Sequence, residues 1–203
     1  EKGGKGPALV RFIEQIPDGD LLFMVDASDV FVLRDQAALA QVVEGYDLTG
    51  TILFMAERNC WMAPDCGRYP PSPTTYRYAN SGGFVLRNGQ HARDFSISWS
   101  NCIQAGEDDQ RCIHYFFTGH PSGMRFRTGT FKIALDYHCK VFQSGWGTYI
   151  ERNPSAYPRF AAQDGTTPWV QNGILTNPET KTQPVFLHFN GGKTHVGEYH
   201  GQL

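Results

Sequence analysis

The sequence predicts an α/β fold, a mostly parallel sheet covered by helices on both faces. Three observations carry that prediction. Short apolar runs with the composition of buried strands alternate with segments whose apolar residues recur at helical spacing. Cap and turn residues separate the two kinds of segment, and such alternation builds sheets whose crossovers are helices. The 203 residues, 40% hydrophobic and 19% charged, suffice to bury about 70% of the unfolded surface, so residues 1–203 are read as one globular domain.

Taken in order, Leu9, Phe12, Ile13 and Ile16 share one face of a first helix, with Pro7 suited to its first turn. Pro17-Asp18-Gly19-Asp20 is a turn, residues 21–25 form a buried strand, and residues 30–33 have the composition of a second. Asp35 is placed to cap a helix over residues 36–44, which Gly45 ends. Residues 51–56 are another buried strand. The Pro, Tyr and Cys-rich stretch 57–79 lacks periodicity and is long enough to be a functional loop. A short strand over 83–86 follows. A helix over 90–104 then turns Phe95, Trp99, Cys102 and Ile103 to one side, and a helix over 111–118 is opened by Glu107-Asp108-Asp109. Residues 131–135, 141–143 and 184–189 are the remaining strands, and 144–183 reads as irregular surface structure.

The bulk properties exclude several function classes. A formal net charge of -2 gives no electrostatic case for nucleic acid or an anionic membrane, and no apolar run approaches the length of a bilayer span. None of the five cysteines makes a C-x-x-C zinc pattern. Cys60 with Cys66 and Cys102 with Cys112 are candidate disulfides, with buried free thiols as the rival reading. Glu1-Lys-Gly-Gly-Lys-Gly-Pro7 runs straight into an amphipathic segment, so the chain is expected to be a piece of a longer protein.

The chemistry concentrates in Val25-Asp26-Ala27-Ser28-Asp29-Val30. Residues i and i+3 of an unbroken strand point to opposite faces, so Ala27-Ser28 must turn the chain if the two carboxylates are to converge. A converging pair repels itself unless a proton or cation intervenes, and hard oxygen ligands suit Mg²⁺ or Mn²⁺. In α/β sheets ligands gather beyond strand ends, where Asp26, Asp29, Glu57, Asn80, the 107–109 acidic run and His188 are all expected.

Seven pieces in order then resemble one family, the glycosyltransferase domain of the procollagen lysyl hydroxylases. They are Val25-Asp26-Ala-Ser-Asp29-Val30, Phe54-Met-Ala-Glu57-x-x-Cys60-Trp61, Asn80-Ser-Gly-Gly-Phe84, Asp108-Asp109-Gln110, Leu135-Asp136, Phe142-Gln143 and His188-Phe-Asn190-Gly191. The resemblance implies a GT-A type nucleotide-sugar fold, a UDP-sugar donor and Mn²⁺. Its usual acceptor is hydroxylysine, or galactosyl-hydroxylysine, of collagen-like sequences. It also implies a secretory-pathway protein of the endoplasmic reticulum lumen or Golgi. Such domains open with a strand, helix and strand that hold the nucleotide, yet only one helix precedes Leu21. Either those strands lie outside this sequence, or the nucleotide pocket is built differently.

Carried over by position, the resemblance implies Asp26, Asp29 and His188 as metal ligands, Asp26 thereby also holding the donor. Gly191 and Lys193 would face the diphosphate, although Phe189-Asn190-Gly191-Gly192 departs from the family's Gly-x-Gly-Pro-like sequence. Asp108 and Asp109 would line the acceptor side as general base or electrostatic stabiliser, Trp61 would pack on a sugar ring, and Asn80 would bind sugar hydroxyls. Glu57, Asp136 and Gln143 match without an assigned role. Two rival functions are a non-catalytic GT-A-like binding or assembly module and a metal-dependent phosphohydrolase. The first would be favoured by loss of a metal ligand, and the second commonly needs further ligands for two metals.

Overall fold

The computed structural model describes residues 4–145, 170–171 and 174–190. The chain opens with α1 (Lys5–Ile13), β1 (Leu21–Val25), β2 (Val30–Val32), α2 (Gln36–Glu44) and β3 (Thr51–Glu57). A 3₁₀ turn at Cys66–Arg68 precedes β4 (Tyr78–Arg87), α3 (Gln90–Gln104), α4 (Asp109–Thr118) and α5 (Pro121–Met124). The remaining strands are β5 (Lys132–Asp136), β6 (Phe142–Ser144), β7 (Val170–Gln171), β8 (Ile174–Leu175) and β9 (Phe186–His188).

The helices follow their local signals. Asp35 caps α2 by accepting from the Ala38 amide, and Gly45 ends that helix. Asp108 caps α4 through the amides of Gln110 and Arg111, so α4 begins two residues earlier than its apolar pattern indicates. Gly6 lets α1 lie close on α3, since a Cβ there would meet Ser100 Cα at 2.7 Å. Both candidate disulfides are present, Cys60–Cys66 and Cys102–Cys112, and Cys139 is a buried free thiol.

The sheet is not mostly parallel. Its order is β1-β4-β3-β5, and only the β3–β5 pair runs parallel; β4 is antiparallel to both of its neighbours. The cause is the connection from β3 to β4. A parallel return needs a crossover, usually a helix, to carry the chain back along the sheet. The 58–77 connection holds only the 3₁₀ turn, so the chain re-enters the sheet in reverse. A second sheet, β2-β9-β6, has one antiparallel and one parallel pair, and β7 with β8 forms a small antiparallel ribbon.

The faces of the main sheet are also covered unequally. Ile52, Phe54 and Ala56 of β3 pack on one side with α1, α3 and α4 residues such as Leu9, Phe95, Trp99 and Ile113. Leu53 and Met55 point the other way, toward Val43 of α2 and Val141, Phe142, Val185 and Phe186 around the second sheet. Thus helices cover one face, while α2 and a sheet cover the other. Part of the stretch expected to be irregular surface is buried: Asn177 is fully enclosed and bonds Gln143 and the Tyr76 hydroxyl.

Candidate metal centre and acceptor cleft

The acidic motif sits at the joint between the two sheets. β1 pairs with β4, β2 pairs with β9, and Asp26 to Asp29 is the bend by which the chain leaves one sheet for the other. Backbone bonds pin both ends of the bend. The Asp26 amide donates to the Gly82 carbonyl at 3.0 Å, and the Phe189 amide donates to the Asp29 carbonyl at 2.8 Å. His188 closes β9 opposite Val30, so its ring arrives beside the two carboxylates.

One oxygen each of Asp26 and Asp29 and one ring nitrogen of His188 lie within 4.8 Å of one another. His188 Nε2 is 3.6 Å from Asp26 Oδ2 and 3.5 Å from Asp29 Oδ1. Adjacent ligands of an octahedral Mg²⁺-type ion stand about 3 Å apart, so a small contraction would satisfy such an ion. His188 is 4% exposed and its Nδ1 is buried without a hydrogen-bond partner among the described residues, leaving that ring undersatisfied by protein alone. Two carboxylates and an imidazole are a donor set suited to Mn²⁺, so the residues fit the implied ion.

A bulge makes room for the ring. On β3, Phe54 faces Phe84 of β4 while the next residue, Met55, faces Asn80. Ser81-Gly82-Gly83 therefore has no counterpart on β3. Asn80 stands inside this strand rather than in a turn, and its Oδ1 accepts from the Gly82 amide. Gly82 lies against the imidazole: a Cβ there would fall 2.1 Å from His188 Cε1. Only glycine admits the ring.

Around this centre lies a cleft of about 410 Å³. It is lined by Asp26, Asp29 and His188 and by Trp61, Asn80, Asp108 and Asp109. The two acids at the start of α4, Asp108 and Asp109, are not equivalent. Asp108 is engaged as the α4 cap, whereas Asp109 Oδ2 meets Lys5 Nζ at 2.8 Å and Ser81 Oγ at 3.2 Å. Lys5 also reaches Asp26 Oδ1 at 2.7 Å, so one ammonium ties the acidic motif to the α4 terminus. Burial acts to lower the Lys5 pKa, but Asp109 and Asp26 outweigh it and hold the ammonium above its usual value.

Glu57, expected at a strand end, is buried at the cleft floor. Gln110 Nε2 donates to one of its oxygens at 2.7 Å and Asn190 Nδ2 to the other at 2.8 Å. Trp61 lies 60% exposed at the cleft, but its carbonyl is anchored by Gln110 Nε2 and by His114 Nε2 at 2.7 Å. Because that carbonyl can only accept, Nε2 of His114 carries the proton, and Nδ1 accepts from the Tyr69 hydroxyl. Burial pushes the His114 pKa down to about 4. Asp136 and Gln143 lie elsewhere. Asp136 accepts from the Tyr46 hydroxyl and three backbone amides, and Gln143 bonds the Tyr76 hydroxyl. Gly191 and Lys193 lie outside the described residues.

Sequence alone assigns no role to Lys5, Gln110 or Asn190. A lysine among Gly3, Gly4 and Gly6 at a helix start was the available signal for the first. Gln110 and Asn190 stood next to assigned residues, but their shared partner, Glu57, is distant along the chain.

Residues 7–201 match a family model described as the PLOD GT domain. The chain belongs to that family. It is thereby a member of a glycosyltransferase family, and the resemblance drawn from its seven motifs holds across nearly its whole length. It is also 27% identical over 192 residues to the uncharacterized protein R699 of Acanthamoeba polyphaga mimivirus. That alignment covers 93% of this chain but 35% of the viral protein, so the chain spans about a third of its relative. Among the described residues, no helix is long and apolar enough to cross a membrane.

Proposed function

We propose that this PLOD GT domain transfers a sugar from a UDP donor to a hydroxyl acceptor, with Mn²⁺ held by Asp26, Asp29 and His188. The observation that carries the reading is the convergence of those three donors, from two sheets and distant in sequence, at one end of a cleft. When bound, the ion would supply positive charge to offset the departing diphosphate.

The chain's own groups then divide the work. Asp109, free of the capping duty that occupies Asp108, would take the proton of the acceptor hydroxyl or stabilise positive charge on the sugar. Lys5 orients that carboxylate and offsets the crowding of negative charge between it and Asp26. Trp61 offers an indole face to a sugar ring, and Asn80, its carbonyl spent on Gly82, offers amide N–H groups to sugar hydroxyls. Gly191 and Lys193 would contact the diphosphate.

By the family resemblance the acceptor is hydroxylysine or galactosyl-hydroxylysine in a collagen-like sequence. The same reading places the domain in the secretory pathway, in the endoplasmic reticulum lumen or Golgi, where two disulfides would persist. The test is a screen of UDP-glucose, UDP-galactose, UDP-glucuronate and UDP-N-acetylhexosamines for Mn²⁺-dependent UDP release, with and without a hydroxylysine peptide. Release from one donor, stimulated by the peptide, is expected. No release from any donor in a protein that binds Mn²⁺ would leave a binding module as the better account.

A further inference from the structure

Both disulfides close segments that carry the acceptor side of the cleft. Cys60–Cys66 encloses Trp61, the residue next to Cys60. Cys102–Cys112 joins the end of α3 to α4 and encloses Asp108, Asp109 and Gln110. The two closed segments also bond each other, since Gln110 Nε2 donates to the Trp61 carbonyl at 3.2 Å. The metal-ligand wall, built on β1, β2 and β9, carries no disulfide among the described residues.

The enclosed backbone needs holding. Met62, directly after Trp61, sits at φ 61°, a left-handed conformation that residues other than glycine rarely adopt. In an open chain this stretch would relax toward ordinary backbone angles and carry the neighbouring indole with it. Closing the short Cys60–Cys66 loop removes many of those alternatives. The Asp109 side is fixed in a comparable way: its carbonyl accepts from Trp99 Nε1 at 2.9 Å, and both cysteines of the second bond are fully buried beside it.

We propose that the two disulfides are positioning elements for the acceptor wall, setting Trp61 and Asp109 against a metal wall that forms without them. This rests on the glycosyltransferase reading for its chemistry, but not for its geometry. The four cysteines touch no substrate. They act through the loop they close, and so govern how an acceptor is seated and how often water takes its place at the sugar.

The test compares the oxidised wild-type domain with Cys60→Ala/Cys66→Ala and Cys102→Ala/Cys112→Ala pairs, so that no unpaired thiol is left. Calorimetry with Mn²⁺ alone is expected to be unchanged within about twofold in both pairs. Hydrogen exchange is expected to accelerate about tenfold over residues 58–66 in the first pair and over 105–111 in the second. With the donor found by the UDP-release screen and a hydroxylysine peptide, the ratio of sugar transfer to donor hydrolysis is expected to fall about tenfold. The acceptor KM should rise while the donor KM holds.

A purely structural role would lower the melting temperature and leave that ratio unmoved, which would overturn the proposal. Unchanged exchange over 58–66 in the first pair would overturn it as well, whatever becomes of the more buried second pair. A wild-type protein that neither binds Mn²⁺ nor releases UDP would sink the functional reading. In that event the exchange data still decide whether the loops depend on their disulfides.

Discussion

Replacing Gly82 with alanine should dislodge His188 without removing any donor from the site. The added methyl would lie 2.1 Å from His188 Cε1, 2.6 Å from Nδ1 and 2.8 Å from Nε2, whereas ordinary contacts begin near 3.4 Å. The ring must therefore retreat by about 1.3 Å, because the colliding atom belongs to a rigid imidazole and β4 is hydrogen-bonded to β1 on one side. Metal sites tolerate ligand displacements of about 0.2 Å. The shift exceeds that severalfold, so His188 should cease to ligate, and Mn²⁺ affinity should fall at least about 100-fold. Overpacking of this kind costs about 1–3 kcal/mol, which for a chain of this size lowers the melting temperature by about 5 °C.

The assay is a Mn²⁺ titration by calorimetry, with thermal unfolding on the same samples. The Gly82→Ala/His188→Ala double variant supplies the internal check. Without the imidazole the methyl has space, so the double variant should lose less stability than the sum of the singles, by about 1 kcal/mol or more. Its Mn²⁺ affinity should be no worse than that of His188→Ala alone. A folded Gly82→Ala protein that binds Mn²⁺ like wild type would refute the argument, since either the ring is not against Gly82 or the ion does not need it.

Three further outcomes are expected. Asp29→Asn keeps the shape of a residue only 1% exposed but removes its charge, and should abolish Mn²⁺-dependent turnover while circular dichroism stays native; retained turnover would contradict the metal assignment. Lys5→Met removes a cation 2.7 Å from Asp26, so Mn²⁺ alone should bind a few-fold more tightly by calorimetry, and equal or weaker binding would show that the ammonium does not compete. His114 is neutral in the fold with its pKa pushed down to about 4, against 6.5 when unfolded. Its contribution to stability is full above pH 6.5 and lost as pH falls toward 4, amounting to about 3 kcal/mol, and urea titrations across that window should show this slope in wild type but not in His114→Gln.

What the sequence made legible was local. Asp35 and Gly45 bound α2 because capping is settled within four residues, and the apolar spacing of Phe95, Trp99 and Ile103 located α3 for the same reason. Strand direction was not legible in this way. Leu53 to Ala56 reads as a strand buried on both faces, which suggests a parallel sheet, but burial reports only that both faces are covered. Here a second sheet supplies one cover, and the antiparallel order is fixed by a connection whose path no local pattern encodes. The strand expected over 83–86 begins at Tyr78 and takes in Asn80-Ser81-Gly82-Gly83, whose glycines weaken a strand pattern. Those glycines serve close approach, of an imidazole at Gly82 and of the Phe142 ring at Gly83. The choice between Asp108 and Asp109 likewise needed the structure, because both stand at a helix start and only geometry shows which one the backbone engages.

The spacing of the two acids has a deeper reason than ligand count. If Asp26 and Asp29 lay on one strand, the pleat would turn them apart. Here the chain changes sheets between them, and His188, the third donor of the proposed metal site, arrives on β9, the strand that receives β2. The site's dimensions are therefore set by how the two sheets pack, through Phe186 of β9 against Phe23 of β1, with ring centroids 6.2 Å apart, and through Phe142 of β6 seated over Gly83 of β4. A core contact that shifts one sheet against the other moves Asp26 relative to His188 while leaving each residue's own neighbours in place. The hydrophobic interface thus does part of the work of a ligand shell, holding repelling carboxylates close enough that a cation becomes the favourable way to satisfy them.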